Sequence, residues 1–393
     1  MNPTLEYGVP QEPDELTPLG EMMRHAFGMA PAYLEVYMRR LGRESFRCVK
    51  AHGKVAGGLA IYSLGQWFGG RSVSMAGLAA VAVPPEGRGT GTARTLLVRT
   101  LTELHAKEVA LSALYPATHT LYRSVGYEQA GNRAWRRFAP SAIGLADRAL
   151  PVRPIDPSDP QLVTLYRAWA ERENGVLDRG EPMWQRLADP LLDGVPVQGY
   201  VAGPETAPEG YILFVQRGSA TGTMEIAVRD FVALTAGAGR RLLTLLADHR
   251  SVVREIAWPG QLTDPLLCLL PELDVRIERP ERWHLRIVHV EAALRQRGYP
   301  DQVEAELHLE VRDAILPGND GRFVLQVKDG RGEVERGGRG ELELDVRGLA
   351  PLYSSYLAPA QLRAIDFLAG PPAALAAAAR IFAGPEPWMA DFF

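Results

Sequence analysis

The sequence has little of what a disulfide-stabilised, metal-binding, membrane-spanning or polyanion-binding protein needs. Its 393 residues include two cysteines, Cys48 and Cys268, which are too far apart to suggest a disulfide framework or a metal-ligand cluster. Its eight histidines are scattered along the sequence, so no metal is expected. No apolar run reaches the roughly 18 residues of a membrane span. The net charge of −4 gives no global reason to expect nucleic acid or an anionic membrane as partner. Residues 1–15 are unlike a signal peptide, so a reducing cytoplasm is the expected location.

One stretch combines a strand, a glycine-rich turn and a helix. Residues 72–83 are apolar and β-tolerant, and the turn after them contains Gly87, Gly89 and Gly91. Ala93, Leu96, Leu97, Leu101 and Leu104 then recur at helical spacing. Such a turn collects unpaired backbone N–H groups at a helix N-terminus, which suits a phosphate or pyrophosphate.

The spacing in this turn decides between nucleotide classes. A kinase-type phosphate loop fails because only three residues separate Gly87 from Gly91 and Thr92 stands where lysine is required. A dinucleotide fingerprint is weakened because Arg94 replaces its third glycine. Arg88-x-x-Gly91-x-Ala93 fits the [QR]xxGx[GA] pattern of GNAT N-acetyltransferases, in which loop amides hold the pyrophosphate of acyl-coenzyme A. A glycine-rich turn without a ligand remains the alternative.

The order of predicted elements divides the chain into three domains. Residues 1–150 resemble a GNAT acetyltransferase domain, with Leu121-Tyr122-Arg123-Ser124-Val125-Gly126-Tyr127 as a second signature about 30 residues after the loop. Residues 151–285 repeat a similar order without the Arg-x-x-Gly-x-Ala motif, which predicts a degenerate copy that packs rather than catalyses. Residues 286–393 predict a small sheet with helices, suited to a lipid or a dimer face, and a first helix closed by Gly298.

Taken together, these stretches resemble the Eis-like (enhanced intracellular survival) acetyltransferases of bacteria. The markers are residues 81–91, residues 121–127, the run from Leu285 to Tyr299, and an ending in Phe393. The resemblance implies an α/β (α+β) fold with two tandem GNAT-like domains, the second degenerate, and a C-terminal domain like sterol carrier protein. It further implies a homohexamer.

The resemblance also implies a reaction and a set of site residues. Acetyl-coenzyme A would donate an acetyl group to an amine on an aminoglycoside, a polyamine or a lysine, with Tyr122 as general acid and the α-carboxylate of Phe393 as general base. The expected residues for coenzyme A are Val81, Val83, Arg88, Gly89, Gly91 and Thr92. The expected residues for the amine are Tyr33, Tyr37, Trp67 and Asp391. Some relatives have an acidic residue just before the terminal Phe, where this chain has Phe392.

The ordinary chemistry of these groups is compatible with the implied roles. A model thiol titrates near 8.5 and a tyrosine near 10, so Tyr122 is roughly matched to protonate a departing thiolate. A terminal carboxylate has a reference pKa near ~3.5 and would need a water relay, or would act by positioning the amine. The alternatives are a Tyr122 that only packs on the sheet, a frayed tail, and a non-catalytic lipid- or coenzyme A-binding protein that keeps the GNAT fold as scaffold. Tyr127 is expected in the core.

Overall fold

The computed structural model describes residues 5–11, 13–218, 222–272 and 274–393. Its α-helices within these residues are α1 (Leu16–Phe27), α2 (Pro31–Leu41), α3 (Thr92–Ala106), α4 (His119–Arg123), α5 (Pro160–Ala170), α6 (Glu181–Ala188), α7 (Ala236–Ala247), α8 (Val290–Gln296), α9 (Val346–Tyr353), α10 (Pro359–Ala364) and α11 (Pro372–Ile381). Its strands are β1 (Glu6–Gly8), β2 (Phe46–Ala51), β3 (Lys54–Phe68), β4 (Arg71–Ala82), β5 (Leu111–Leu114), β6 (Glu128–Phe138), β7 (Val152–Pro154), β8 (Leu177–Asp178), β9 (Gln198–Ala202), β10 (Gly210–Gly218), β11 (Met224–Ala233), β12 (Val253–Gly260), β13 (Arg276–Ile287), β14 (Ala305–Arg312), β15 (Gly321–Lys328), β16 (Arg331–Arg336), β17 (Leu342–Asp345) and β18 (Leu368–Ala369).

The chain forms two compact units. The first comprises Met1–Gly131, Arg282–Pro387 and Phe392–Phe393, and the second comprises Asn132–Glu281 and Trp388–Asp391. Most of the first and most of the third predicted domain therefore lie in the same unit, whereas residues 132–150 and 388–391 belong to the second unit.

The first unit contains a sheet of order β1-β2-β3-β4-β5-β13. Strands β4 and β5 run parallel, and helix α3 connects them with Leu96, Leu97, Leu101 and Leu104 buried, which is the apolar stripe predicted from the sequence. The strand beside β5 comes from residues 284–287 of β13, a long-range pairing that the predicted order of elements did not contain. All four residues of this segment, His284 to Ile287, are fully buried.

The same unit also holds the five-stranded sheet β16-β15-β14-β17-β18 with helices α8 to α11. Alternate residues of β14 and β15 face the core, and the buried ones are Leu307, Leu309, Val311, Phe323, Leu325 and Val327. Asp329 and Gly330 have positive φ values of 49° and 70° and connect β15 to β16 in a tight turn. The region is a small sheet with helices, as predicted, but β16, β18, α10 and α11 were not predicted individually.

Gly298 has a different role from the predicted helix cap. Helix α8 ends at Gln296 and Arg297 is extended, while the φ of Gly298 is not in the left-handed region of a glycine cap. Its backbone instead passes against Gly69 in the β3–β4 turn, and its N–H donates to the carbonyl of Phe68 at 3.0 Å. A Cβ at Gly298 would overlap the carbonyl oxygen of Gly69, so the prediction was wrong about the reason for this glycine.

The second unit has a sheet of order β6-β12-β11-β10-β9-β7. Strands β11 and β12 are parallel and α7 connects them, which repeats the strand–helix–strand order of the first unit. Thr235 caps α7 by accepting from the N–H of Ala238 at 3.1 Å. Gly239 is buried in the first turn of α7, where a Cβ would lie 3.0 Å from Leu266, so this glycine serves close packing.

A buried ion pair connects the two sheets of the first unit. Arg286 on β13 and Asp313 after β14 are both fully buried, and Nη2 of Arg286 lies 2.7 Å from each carboxylate oxygen. Arg286 also donates to the carbonyl of Val125, at the end of α4, at 2.9 Å. Breaking a buried pair leaves an uncompensated charge, whose desolvation is not repaid.

We expect Asp313→Ala to lower the free energy of unfolding of the first unit by about 3–5 kcal/mol, because Arg286 would remain buried and unpaired. Urea unfolding followed by fluorescence measures this loss. Glu343→Ala is the matched control, since Glu343 is half-exposed and pairs with Arg312 at 3.2 Å on the surface, where a pair contributes roughly 0–1 kcal/mol. Equal losses in the two variants would contradict the expectation.

Candidate active site

The predicted glycine-rich turn lies between β4 and α3 and is exposed. Gly89 and Gly91 have φ values of +77° and +85°, and the space where a Cβ would stand is open at both positions. The glycines are thus needed for backbone conformation rather than for packing. Gly91 is the residue before α3, and the amides of Thr92 and the next residues belong to the first helical turn, for which a helix supplies no acceptor. Such a geometry is suited to binding an anion.

A β-bulge in β4 precedes the turn. Gly58 pairs with Ala82 and Ala60 pairs with Ala79, so Ala80 and Val81 face only one residue of β3. Ala80 has a φ of +49°, an uncommon value for a residue with a Cβ. A bulge releases backbone N–H groups from the ladder and re-aims them, and such released amides can stabilise an oxyanion.

The parallel strands β4 and β5 part just before this bulge. Their pairing covers Met75 to Gly77 against Leu111 to Ala113, whereas β4 continues to Ala82. Beyond Gly77 the edge of β4 is therefore available to a ligand that enters between the two strands. The bulge and the glycine turn both follow Gly77 along the same strand, so the three features form one continuous path.

Tyr122 stands on α4, which follows β5. Its side chain is 6% exposed, and burial raises the pKa of its hydroxyl to about 12. The ring packs edge-on against Tyr127 at 6.0 Å between centroids. Within the described part of the chain, no hydrogen-bond partner is found for the Tyr122 hydroxyl, whereas that of Tyr127 lies 2.7 Å from Ser112 Oγ. Tyr127 is fully buried, as the sequence predicts.

The end of the chain packs into the first unit at the point where β4 and β5 separate. A Cβ added to Gly77 would lie 2.7 Å from the ring of Phe393, so this ring rests on the glycine backbone. Tyr62 and Tyr115 flank the Phe393 ring at 5.8 and 6.2 Å, and Phe392 packs on Tyr115 at 4.7 Å. Sequence reasoning missed these contacts, although an isolated glycine inside a strand is a signal for close approach.

The structure places the residues expected to hold the amine in several settings. Tyr33 and Tyr37 form one stripe on α2, with ring centroids 6.3 Å apart, and Tyr37 packs on Phe46. Trp67 lies five residues beyond Tyr62 on β3 in unbroken register with β4, so the two side chains point to opposite faces. Trp67 is therefore not on the face that carries the Phe393 ring.

Asp391 belongs to the second unit, in a buried ion cluster. Both of its carboxylate oxygens accept from Nε of Arg179 at 3.0 Å, and the same guanidinium donates to Asp230 at 2.6 Å. Burial raises the pKa of Asp391 while Arg179 opposes that shift. Trp388 in this segment donates from Nε1 to Glu173 at 3.0 Å. The carboxylate of Asp391 is thus already paired with a protein cation.

A histidine pair lies at the start of the helix that carries Tyr122. Nδ1 of His119 is 2.9 Å from Nε2 of His284, which is fully buried on β13. Burial lowers the pKa of His284 to about 4, and the nearby charges of Arg123 and Arg347 act in the same direction, whereas Glu128 opposes them. At neutral pH His284 is uncharged, so one ring nitrogen of the pair donates and the other accepts.

The chain is similar to known protein families along most of its length. Residues 10–130 and 175–287 each match a family model described as an acetyltransferase (GNAT) domain, and residues 290–390 match one described as a sterol carrier protein domain. The molecule is therefore of the GNAT fold class, with two such domains and a C-terminal sterol carrier domain, as predicted. The positions of the boundaries between the three predicted domains stay a prediction.

Individual relatives agree with this class. A GCN5-related N-acetyltransferase from Anabaena variabilis is 41% identical, with a TM-score of 0.96 over 99% of this chain and 100% of that one. The N-acetyltransferase Eis of Mycobacterium bovis is 30% identical over 65% of this chain and 64% of its own length, so the match spans less than two thirds of that relative. Eis1 from Mycobacterium abscessus, at 24% identity and a TM-score of 0.81 over 99% of this chain and 100% of that one, shares the fold. The chain belongs to the Eis-like GNAT family.

Two features are absent from the described residues. None of their helices is both long and apolar enough to cross a membrane. In the same part of the chain, no group of three or more His, Cys, Asp or Glu side chains is arranged to hold a metal ion.

The low pKa of His284 predicts a pH-dependent stability. The unfolded histidine titrates near 6.5 and the folded one near 4, so its contribution is complete above pH 6.5 and is lost as the pH falls towards 4. Over that range the wild type should lose roughly 3 kcal/mol of unfolding free energy through the titration of His284, and His284→Gln should not show this loss. Urea unfolding at pH 7, 5.5 and 4.5 measures it, and His25→Gln is the control, because His25 is exposed on α1. Parallel pH profiles of wild type and His284→Gln would refute the assignment.

Proposed function

We propose that this protein is an acetyl-coenzyme A-dependent N-acetyltransferase that acts on an amine. The observation that carries the proposal is the position of the Phe393 ring on Gly77, where β4 separates from β5. The chain end thereby adjoins the strand that continues into the bulge and the glycine turn. A proton acceptor and a donor-substrate cradle are then parts of one site in the first unit.

The donor substrate would lie along β4 and the turn. The amides from Gly89 to Thr92 would bind the pyrophosphate, with Arg88 beside them, because a helix N-terminus and left-handed glycines present several N–H groups to one anion. The backbone of Val81 and Val83, at and after the bulge, would pair with the pantetheine arm. Amides released by the bulge would face the thioester carbonyl and stabilise the oxyanion of the tetrahedral intermediate.

Tyr122 would act as general acid. The nitrogen of a neutral amine attacks the thioester carbon, the C–S bond then breaks, and the departing thiolate takes the proton of the Tyr122 hydroxyl. With a pKa raised to about 12, Tyr122 is protonated at neutral pH and is therefore a donor. Burial raises the pKa of a thiol as well, so the raised pKa of Tyr122 would be accompanied by a shift of the leaving thiol in the same direction.

The α-carboxylate of Phe393 would accept the proton that the amine nitrogen loses, directly or through one water. Tyr62, Tyr115 and Phe392 place aromatic rings around this end of the chain, which would lower the local polarity around the carboxylate. The class of acceptor stays open among aminoglycosides, polyamines and lysine side chains, and Tyr33, Tyr37, Trp67 and Asp391 remain proposals for its contacts. The homohexamer and the cytoplasmic location likewise stay predictions from the resemblance.

Replacing Tyr122 by Phe should lower kcat by about 10²–10⁴-fold, because general acid catalysis contributes that much. Coenzyme A binding should be unchanged, since the ring is kept. Release of free thiol from acetyl-coenzyme A with a panel of amines measures kcat, and calorimetry measures binding. Tyr127→Phe is the matched control, because that hydroxyl is bonded to Ser112 in the core. A Tyr122→Phe enzyme with wild-type kcat would reject the acid role.

Deleting Phe393, or adding three residues after it, should abolish acetyl transfer while coenzyme A still binds, because the carboxylate would be lost or displaced. Gly77→Ala tests the same contact in a chain of natural length, since its Cβ would push the Phe393 ring away. Gly8→Ala is the control, because a Cβ there meets open space. Full activity of the extended protein would remove the terminal carboxylate from the mechanism.

A further inference from the structure

The second unit retains the strand geometry of the proposed donor site without the Arg-x-x-Gly-x-Ala motif of the first. Strand β11 pairs with β12 in parallel as far as Ala227, whereas β11 itself continues to Ala233. A β-bulge follows the separation, because Val228 and Asp230 both pair with β10 while Arg229 between them is the extra residue. Strand β4 of the first unit has the same succession of parallel pairing, separation and bulge. The groups that surround the bulge in β11 therefore indicate what the second unit binds at the corresponding place.

Asp230, the residue after this bulge, belongs to a buried charge cluster. Its two carboxylate oxygens accept from Nη1 and Nη2 of Arg179 at 2.6 and 3.1 Å, and the Tyr211 hydroxyl donates to it at 2.5 Å. The side chains of Arg179 and Asp230 are 0% and 2% exposed. The Arg179 guanidinium also lies over the ring of Tyr166, 3.8 Å from its centroid. Asp230 thereby occupies one edge of the guanidinium and leaves the Nε edge for a second carboxylate.

The second carboxylate comes from near the end of the chain. Asp391 is the last residue of the tail segment, residues 388–391, which belongs to the second unit. Both of its carboxylate oxygens accept from Nε of Arg179 at 3.0 Å, and its side chain is 2% exposed. Two buried carboxylates thus share one cation. Loss of the Asp391 charge leaves Arg179 paired with Asp230, whereas loss of Arg179 leaves two like charges buried without their shared cation.

The other residues of the tail segment are also held by the second unit. Trp388 donates from Nε1 to a carboxylate oxygen of Glu173 at 3.0 Å. Met389 is fully buried, and the carbonyl of Ala390 accepts from Nη1 of Arg133 at 2.8 Å. A chain end is poorly ordered unless contacts of this kind tie it down. The four consecutive residues of the tail segment are therefore bound like a peptide ligand, immediately before the last two residues of the chain.

We infer that the second unit is a binding site for the tail segment and that Arg179 is a positioning residue for the terminal carboxylate, an assignment that rests on the proposed function. Phe393 follows Asp391 by two residues, and two residues of chain span at most about 7 Å. Binding of Asp391 therefore confines the carboxylate of Phe393 and removes conformational freedom that the chain end would otherwise lose during the reaction. The second unit thereby has a role in acetyl transfer that does not require it to bind a donor substrate.

Asp391→Asn and Arg179→Lys test the inference in the full-length protein. Asn keeps the shape of Asp391 without its charge, and Lys keeps the charge of Arg179 without the planar fork that bonds two carboxylates. Both variants should lower kcat about 10–100-fold, because the terminal carboxylate is no longer held in place. The KM values for acetyl-coenzyme A and for the fastest-reacting amine of the panel should be unchanged. Asp391→Glu, which keeps the carboxylate, should stay closer to wild type than Asp391→Asn.

A second measurement does not depend on acetyl transfer. Carboxypeptidase A should release phenylalanine from both variants about tenfold faster than from wild type, because its access requires a detached tail. Asp178→Asn is the matched control, because this neighbouring aspartate pairs with the exposed Arg167 at 3.9 Å, a kind of pair that contributes little. It should keep wild-type kcat and wild-type release of phenylalanine. Thermal unfolding verifies that every variant is folded.

Two outcomes overturn the inference. One is release of phenylalanine at the wild-type rate from both Asp391→Asn and Arg179→Lys. The other is a raised KM for the amine at unchanged kcat, which would assign Asp391 to the amine instead of to the position of the carboxylate. Failure of the proposed function is distinguishable, since faster release from the variants of a protein that transfers acetyl to no amine would reject the reaction and keep the binding of the tail segment.

Discussion

The first unit depends on one buried guanidinium. Arg286 is fully buried, and its donors are shared among Asp313, the carbonyl of Val125 and its own strand at Ile287. It thereby fixes the end of α4, which carries Tyr122, and the loop after β14 at the same time. A buried pair of this kind contributes less to net stability than to a unique arrangement, because its desolvation cost offsets much of its attraction. The position of Arg286 also explains why residue 126 is a glycine, since a Cβ there would lie 2.6 Å from Nε of Arg286.

The parts of the site that the sequence predicted are local. The residues from Val81 to Ala93 include the left-handed glycines and the first turn of α3, and both are determined by neighbours within a few positions. The bulge that precedes them was not predicted, because it depends on pairing with β3. The same holds for α4 and its turn into β6, where Tyr122 and Tyr127 are only five residues apart. Glycine placement and helical spacing are sufficient signals for such elements.

The parts that the sequence could not place are pairings across hundreds of residues. Gly77 contacts Phe393, and Leu111–Leu114 pairs with residues 284–287. No local sequence pattern predicts either contact. Alternating apolar residues identify a strand but not its neighbour, because any apolar strand of similar length could pair with it. Gly298 shows the same limit. Its position after a helix suggested a cap, but a glycine is needed there because the backbone of Gly69 lies too close for a Cβ.

The surroundings of α4 constrain how charge can be handled during acyl transfer. Burial keeps Tyr122 protonated and His284 neutral at physiological pH, so neither carries a formal charge before the reaction. Glu128 is the buried carboxylate nearby and is already held by Arg123 and Arg347. In the proposed reaction, charge that develops at the thioester would therefore be met by dipoles, namely released amides of β4 and the Tyr122 hydroxyl. Fixed dipoles suit this task because they need no reorganisation when the oxyanion forms.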